Sequence, residues 1–324
     1  MDSKLTLSSR DIIQEIDFLN NPFFFEFFEN FESKNTIRSY KSDINQFFNY
    51  VREYMFDVNS LKDLKRLHGI AYKKWLTENE YAPKTINRKL SSSSSFYDYL
   101  IEKSLVEYNI FDSIKRPKQV VKTPTNDLSD EEIISVFQKL DVSKSKSRFL
   151  HKAVVYVLFT TGIRKSELIN LKLKDMHFEK GYWLINLKVK GGKFLSKVLP
   201  MKTYEIIQEY TEWMSSQGRE IHPEDWIFQP TKNPIDQGNL IKPLNPKTID
   251  YILKKYCQSA GILKRISPHS ARASYIGSAL ENGADLYKVS KDVGHESVKT
   301  TEEYDKRRKK ISDSPIHNLG FLKD

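Results

Sequence analysis

The sequence predicts a mainly α-helical protein of two domains that carries one small β-hairpin. Its 324 residues suffice for about two domains of ordinary size, each with its own core. Apolar residues recur at spacings of three and four along several stretches, which is typical of amphipathic helices. A single stretch alternates apolar and polar residues ahead of a Gly-Gly pair, which indicates a hairpin.

The first domain, residues 20–113, is predicted to be helical. It begins with FFFEFFENF, residues 23–31, which suits a membrane-surface helix or a helix packed in a core. Glu26 and Glu29 disfavour an anionic surface, so we expect a core helix. An amphipathic helix follows, with apolar positions Ile37, Tyr40, Ile44, Phe47, Phe48, Val51 and Met55.

A second periodic segment runs from Thr85 to about Leu105, and Pro83 ahead of it is a helix start signal. It contains five consecutive serines, Ser91–Ser95, a composition typical of flexible linkers. Because the periodicity continues through them, we expect an unbroken helix. The small hydroxyls either let this helix approach a phosphate backbone or are simply tolerated at the surface.

Residues 114–127 form the predicted linker, since they contain Pro117, Pro124 and four basic residues without apolar periodicity. Ser129 and Glu132 then match a capping box, which predicts a helix start and a new domain over residues 128–308. The hairpin lies within that domain. Its first strand carries Trp183, Ile185, Leu187 and Val189 in alternation.

The composition narrows the class of protein. Lys and Arg number 52 against 42 Asp and Glu, a net charge of +10 that suits a polyanionic partner, either nucleic acid or an acidic membrane surface. Since no apolar run approaches the roughly 18 residues that span a bilayer, we expect a soluble cytoplasmic protein. The lone cysteine, Cys257, excludes a disulfide framework and is expected to be a small buried helix residue.

Three short clusters carry the residues of chemical interest. Arg164 and Glu167 lie three apart at the start of a helical run, where they form either a surface ion pair or part of a site. The second cluster is SPHSAR, residues 267–272. Its serine suits an N-cap and its proline the first helical position, so its histidine and arginine share a face beside a helix N-terminus that favours an anion.

In the third cluster, VGHESVKTTEEY, Gly294 ends one helix, His295 follows, and Ser297 begins the next helix. That helix brings Tyr304 to the site two turns later. The chain has 17 tyrosines, so Tyr304 gains its meaning only from the combination of clusters.

These motifs, together with the hairpin, resemble the catalytic domain of the tyrosine recombinase family. The similar stretches are TTGIRKSELINLKLKDMHFE and SPHSARASYIGSALENGADLYKVSKDVGHESVKTTEEY. In the N-terminal half, NTIRSYKSDINQFFNYV and YAPKTINRKLSSSSSFYDYLIEKSLVEYNIFDSIKRPK resemble the family's core-binding domain, most closely in its Xer-like and simple integrase members. The likeness covers roughly residues 20 to 308.

The resemblance implies a nucleophile and its phosphate ligands. Tyr304 would attack a DNA phosphodiester, leaving a 3′-phosphotyrosine and a free 5′-hydroxyl. Arg164 and Arg272 would hold the non-bridging oxygens, with Glu167 orienting its neighbours. Neither a metal nor another cofactor is then required.

The resemblance also implies the residues that move protons. Lys193 on the hairpin would protonate the departing 5′-oxygen, His269 would assist proton transfer at the nucleophile, and His295 would donate a hydrogen bond to the phosphate. The hairpin is about two residues longer than usual in the family, so Lys190 or Lys197 is an alternative acid. Ala271 and Ala273 stand where the family commonly has Leu and His.

For the whole molecule, the resemblance implies a SAM-like core-binding domain of four to five helices and a catalytic domain, which form a C-shaped clamp on double-stranded DNA. A homotetramer would act on two duplexes at a specific recombination site, in the cytoplasm with the nucleoid, with accessory DNA-translocation or directionality proteins as further partners. The tail, residues 309–324, is either disordered or docks on a neighbouring subunit. Candidate DNA-binding residues are Arg38, Lys41, Lys84, Arg88 and Lys89.

Other functions compete with this interpretation. A type IB topoisomerase would swivel and reseal one duplex by the same chemistry, and a DNA-binding module without catalysis would act by occupying sites. A metal-dependent nuclease is disfavoured, since clustered carboxylates with metal-ligand spacing are missing from the sequence. Chromosome dimer resolution and mobile-element recombination both remain open.

Overall fold

The computed structural model describes residues 22–118, 126–189, 194–232, 240–295 and 297–302. The chain divides into two compact units, residues 1–122 and 123–324, and each has its own hydrophobic core. Across the described ranges, no helix has the length and apolarity needed to cross a membrane.

The described part of the N-terminal unit is helical. Its elements are α1 (Pro22–Glu29), α2 (Lys34–Tyr54), α3 (Arg66–Glu78) and α4 (Pro83–Glu102), with a 3₁₀ turn at Leu61–Asp63. The Ser33 hydroxyl caps α2 by accepting a hydrogen bond from the backbone N–H of Thr36 at 3.3 Å. Most of the predicted apolar face of α2 is buried, with Ile37 and Tyr40 partly buried, which confirms its amphipathic pattern.

The phenylalanine-rich segment lies in the core of this unit, as predicted. Phe24, Phe27 and Phe28 are all buried. The Phe27 ring meets the ring of Phe96 on α4 edge-on, with 5.2 Å between centroids. Each such aromatic pair adds about 1 kcal/mol beyond the burial of its area, so α1 is fixed to α4 by side-chain packing.

The serine run is helical, as the periodicity predicts. Ser92 and Ser93 are nonetheless buried, so a surface position is wrong for these two. The Ser92 hydroxyl donates a hydrogen bond to the carboxylate of buried Asp43 on α2, at 3.0 Å. Small side chains therefore allow α4 to pack closely on α2. The helix ends at Glu102, short of the predicted Leu105, because Ser104 adopts a left-handed φ of 56°.

The C-terminal unit contains helices and one small sheet. Its elements are α5 (Asp130–Asp141), α6 (Arg148–Thr161), α7 (Lys165–Asn170), β1 (Met176–Glu179), β2 (Tyr182–Lys188), β3 (Phe194–Leu199), α8 (Met201–Ser216), α9 (Pro246–Ser259), α10 (Pro268–Glu281) and α11 (Leu286–Asp292). The predicted capping box begins α5: the Glu132 carboxylate accepts from the Ser129 backbone N–H at 2.9 Å, and the Ser129 hydroxyl accepts from the Glu132 N–H at 3.3 Å.

The sheet is antiparallel, with strand order β1-β2-β3. The predicted hairpin corresponds to β2 and β3, in which Ile185 pairs with Lys197, and Ile185 and Leu187 are buried. Strand β1 was not predicted. It joins β2 through Lys180 and Gly181, which both have positive φ, 49° and 86°, as the two-residue hairpin turn whose twist matches the strands requires.

Helix α6 is the centre of the C-terminal core, since Val154, Val155, Val157 and Leu158 on successive faces are all buried. Cys257 lies in α9 and is buried in the same core, as expected, and its burial raises the pKa of the thiol to about 11. Helix α10 packs across α6 and brings its first turn to the C-terminal end of that helix.

Several predicted segments lie outside the described residues. They are part of the linker (119–125), the hairpin turn (190–193), residues 303–308 of the second predicted domain, and the tail (309–324). The boundaries 20–113 and 128–308 stay predictions.

Candidate active site

The first part of the site lies between α6 and α7. Gly162 ends α6 with a φ of 60°, and a Cβ there would stand 2.5 Å from Cδ1 of Tyr275, so only glycine fits. Arg164 follows as the N-cap of α7. Its Nη1 donates to Oε1 of Glu167 at 2.8 Å, and its backbone N–H donates to Oε2 at 2.7 Å.

Glu167 is buried, whereas the Arg164 side chain remains 40% exposed. The pair is therefore not a surface ion pair. Both carboxylate oxygens of Glu167 hold Arg164, one through the backbone and one through the guanidinium. This arrangement fixes the arginine at the helix start while part of the guanidinium still reaches solvent.

The second part is the start of α10, which has the predicted signals. The Ser267 hydroxyl accepts a hydrogen bond from the backbone N–H of Ser270 at 3.3 Å, and Pro268 occupies the first helical position. His269 is exposed in this first turn. Arg272 is 3% exposed and donates from Nη1 to the carbonyl of Gly162 at 2.8 Å and from Nη2 to the carbonyl of Val293. Arg272 thus joins α10 to the other two parts of the site.

The third part is the turn after α11. Gly294 has a φ of 65°, as the predicted helix end requires, and its carbonyl accepts a hydrogen bond from Nη2 of Arg164 at 2.9 Å. His295 follows at once, and its Nδ1 lies 2.8 Å from the hydroxyl of Thr301. Helical residues begin again at 299, close to the predicted start at Ser297.

The electrostatics show that these side chains share one site. The pKa of His295 is lowered to about 4, first by burial and then by the charges of Arg272, Arg164 and His269. His295 is therefore neutral at pH 7. Four of the six predicted catalytic residues are brought together: Arg164, His269, Arg272 and His295.

Tyr304, Lys193 and Lys190 lie outside the described residues. The remaining candidate acid, Lys197 on β3, is buried, and its ammonium donates to the backbone carbonyl of Asp292 at 3.0 Å and to the carboxylate of the same residue.

Sequence reasoning missed three residues around the site. Thr301 is fully buried and meets His295, Asp292 pairs with Lys197, and Tyr275 donates from Oη to the Asp292 carboxylate at 2.7 Å. Thr301 lies six residues after His295 within a predicted helix start, which is the one signal that the sequence offered. The partners of Asp292 are distant in the chain and leave no sequence pattern.

Among the candidate DNA-binding residues of the N-terminal unit, Arg38, Lys84 and Arg88 are exposed. Lys41 is half-buried, with its ammonium 4.9 Å from the centroid of the Phe28 ring. Lys89 requires a correction, because it is buried and its ammonium donates to the carboxylate of Asp43 at 3.0 Å. Its charge is committed to an internal ion pair that joins α4 to α2.

In the described part of the chain, no group of three or more His, Cys, Asp or Glu side chains could hold a metal ion.

Comparison with family models gives matches in both units. Residues 127–310 match the model of the phage integrase family, and residues 23–104 match that of the phage integrase N-terminal SAM-like domain.

Curated relatives resemble the chain over most of its length. A tyrosine recombinase of Pseudothermotoga lettingae is 30% identical over 274 residues, covering 84% of this chain and 87% of that protein. Tyrosine recombinase XerD of Oceanobacillus iheyensis is 30% identical over 278 residues, with the same coverage of 84% and 87%. Tyrosine recombinase XerC of Pediococcus pentosaceus is 28% identical over 279 residues, again with 84% and 87% covered.

Solved structures share the fold. The XerH site-specific recombinase bound to its difH substrate superposes with a TM-score of 0.67 at 20% identity, over 88% of this chain and 79% of that one. A lambda integrase tetramer bound to a Holliday junction gives 0.64 at 15% identity, over 91% and 80%. The predicted architecture is confirmed: a mainly helical protein with a small sheet, an N-terminal SAM-like domain and a C-terminal catalytic domain.

Proposed function

Because this chain belongs to the phage integrase family and is a tyrosine-type site-specific DNA recombinase, we propose that it cuts and rejoins DNA through a covalent bond to Tyr304. The Tyr304 hydroxyl attacks the phosphorus and displaces the 5′-oxygen, so one phosphoester bond forms as another breaks. The bond energy is retained in the 3′-phosphotyrosine. A 5′-hydroxyl of a second duplex then attacks that ester in reverse, which exchanges strands without ATP.

The observation that carries this proposal is the meeting of Arg164, Arg272 and His295 at the turn after α11. Two guanidiniums at one point form a strong anion site, since each is a planar fork of donors that matches phosphate oxygens. Negative charge increases on the non-bridging oxygens as the nucleophile approaches. Fixed cations therefore stabilise the transition state more than they stabilise the ground state. Glu167 keeps Arg164 in place through its two hydrogen bonds.

His295 supplies a neutral donor to the same phosphate in this proposal. Its lowered pKa keeps the ring uncharged at pH 7, so one ring nitrogen carries a proton and the other accepts. In the arrangement that we propose, Nδ1 accepts from the Thr301 hydroxyl, so the proton resides on Nε2, which is then the donor. A threonine hydroxyl can donate or accept, so this tautomer is part of the proposal.

Two proton transfers complete the reaction. His269, exposed at the start of α10, takes part in removing the phenolic proton of Tyr304, and Lys193 gives a proton to the departing 5′-oxygen. Lys190 is the alternative acid. Lys197 is the weaker candidate because its ammonium is buried against Asp292.

The assembly we propose is a homotetramer on two duplexes, with both units of each chain in contact with the DNA. A lambda integrase tetramer on a Holliday junction is among the structures that share this fold. Arg38, Lys41, Lys84 and Arg88 are the N-terminal residues proposed to contact DNA, and the tail is proposed to dock on a neighbouring subunit. We propose action in the cytoplasm, with accessory proteins. Chromosome dimer resolution and mobile-element recombination are both candidate roles, since the chain has relatives named XerC and XerD and belongs to the phage integrase family.

The decisive experiment traps the covalent intermediate on DNA. Purified protein is incubated in EDTA with a random duplex library that carries nicks, so that the cleaved fragment diffuses away and religation fails. Sites captured as SDS-resistant adducts are sequenced and synthesised. We expect adducts with the wild type and none with Tyr304→Phe, whereas Tyr251→Phe, an exposed tyrosine on α9, serves as the matched control and should leave them unchanged.

Other outcomes separate the competing functions. An adduct that persists in Tyr304→Phe would falsify the choice of nucleophile, and site-selective binding without any adduct would indicate a binding module. Relaxation of plasmid without joining of partner duplexes would indicate a topoisomerase. A recombinase gives joined partner duplexes with a site preference.

A further inference from the structure

Three successive backbone carbonyls at the C-terminal end of α11 each accept a hydrogen bond from a different cation. The Asp292 carbonyl accepts from Lys197 at 3.0 Å, the Val293 carbonyl from Arg272, and the Gly294 carbonyl from Arg164 at 2.9 Å. The carbonyls at a helix C-terminus are its partly negative end, which favours cations. The turn of residues 292–294 therefore holds both proposed phosphate-binding arginines through hydrogen bonds to its backbone carbonyls.

Backbone hydrogen bonds join the turn to α11, and one of its side chains, the carboxylate of Asp292, joins it to neighbouring elements. That carboxylate pairs with the ammonium of Lys197, whose side chain is only 2% exposed. It also accepts a hydrogen bond from Oη of Tyr275 at 2.7 Å, and the same ammonium stands 4.7 Å from the centroid of the Tyr275 ring. Strand β3, helix α10 and helix α11 thus meet at one partly buried acid, whose side chain is 36% exposed.

Stability alone is a weak explanation for this cluster. Removing the Lys197 ammonium from water costs several kcal/mol, and well-packed apolar residues often serve a core equally well. The cost is apparent at Lys197, where burial lowers the pKa of the ammonium against the opposing effect of Asp292. A directional ion pair defines positions that apolar packing leaves adjustable.

We propose that Asp292 is a positioning residue of the recombinase. Held by Lys197 and Tyr275, it sets the 292–294 turn, and the backbone carbonyls of that turn set the orientation of Arg164 and Arg272. This inference rests on the proposed roles of the two arginines. A displacement of about 1 Å at a reacting group can slow a reaction about a hundredfold, so small shifts of this turn matter.

The charges around Lys197 determine what happens to its ammonium when the Asp292 charge is removed. Asp292 faces its ammonium from α11, Tyr275 and Arg272 from α10, and Glu167 from α7. Without the Asp292 charge, the ammonium is left buried with only distant compensation and with the positive charge of Arg272 nearby. The pKa of Lys197 then falls further, because the attraction that opposed desolvation is gone.

The test uses the full chain on its captured nicked site and measures the single-turnover rate of adduct formation and, separately, DNA affinity. Asp292→Asn keeps the shape but removes the charge. We expect the cleavage rate to fall about ten- to a hundredfold while affinity changes far less. Asp141→Asn is the matched control, since Asp141 also pairs with a lysine, Lys152 at 2.9 Å, but in an exposed position on α5.

Two further measurements distinguish positioning from a general loss of stability. Lys197→Met combined with Asp292→Asn removes the stranded charge and should recover part of the cleavage rate at pH 7. In the single Asp292→Asn variant, the ratio of its rate to the wild-type rate should rise with pH, because a lysine with a lowered folded pKa destabilises most when protonated.

An Asp292→Asn rate equal to wild type would overturn the proposal. It would also fail if the single variant lost affinity and cleavage equally, with a flat pH ratio and no recovery in the double variant. A wild type that forms no adduct on any captured site refutes the proposed function itself. The two failures are therefore distinguishable.

Discussion

At the scale of single residues, the proposed role of His295 as a hydrogen-bond donor depends on its hydrogen bond with Thr301. The hydroxyl lies 2.8 Å from Nδ1, and Thr301 is fully buried. Neutral imidazole has one donor and one acceptor nitrogen, so Nε2 carries the proton when the Thr301 hydroxyl donates to Nδ1. A donor at Nε2 matches the proposed hydrogen bond to the scissile phosphate.

Thr301→Val therefore tests the tautomer. Valine keeps the shape of threonine but removes the hydroxyl, and we expect adduct formation on a captured site to slow about tenfold, because losing a buried hydrogen-bond partner costs about 1–3 kcal/mol. Thr301→Ser, which keeps a hydroxyl, should retain most of the rate. Equal rates in the two variants would show that the hydroxyl does not act through His295.

At the scale of elements, the junction of α6 and α7 depends on Gly162. Its left-handed φ ends α6, its carbonyl accepts from Arg272, and its Cα faces the Tyr275 ring. Conformational requirement and close packing coincide at this one position. The two contributions can be separated, because Gly218 has a similar φ of 78° with nothing within 4 Å of its would-be Cβ.

Gly162→Ala should lower the free energy of unfolding by more than Gly218→Ala. The second variant reports the left-handed strain alone, about 1–2 kcal/mol, whereas the first adds the collision with Tyr275. Urea denaturation of both variants gives the difference. Equal losses would mean that Tyr275 moves aside at little cost.

The helices and strands also show which parts of the fold could be predicted from the sequence. The periodicity predicted α2 and the whole of α4, and the capping signals at Ser129 and Ser267 predicted two helix starts. Strand β1 was not predicted, because four residues are too few for an alternating apolar pattern. Its turn also uses Lys180 where Asn or Asp is usual. The burial of Lys89 was missed as well, since its partner Asp43 is 46 residues away.

The candidate site divides in the same way. His269, Arg272 and Arg164 could be named from helix-start chemistry and from the resemblance. The carbonyls that hold the arginines could not be named, because backbone atoms are common to every residue and only the folded chain determines which of them meet.

At the scale of the whole molecule, the two units have separate cores, which predicts a division of labour. A fragment of residues 123–324 should fold and still form adducts on a captured nicked site at low salt. Its preference for that site over an unrelated duplex should fall, because the contacts proposed for the N-terminal unit are gone. Competition binding against both duplexes measures the change. An unchanged preference would place all base recognition in the C-terminal unit.

The buried thiol of Cys257 can report when the core of the C-terminal unit opens. It is the one cysteine of the protein, it lies in the hydrophobic core of the C-terminal unit, and its raised pKa keeps it unreactive while that core is closed. An alkylating reagent therefore records the first opening of the C-terminal unit in each molecule as a single mass increase. Variants that alter chemistry and variants that loosen the fold can thus be told apart in the unlabelled, full-length protein.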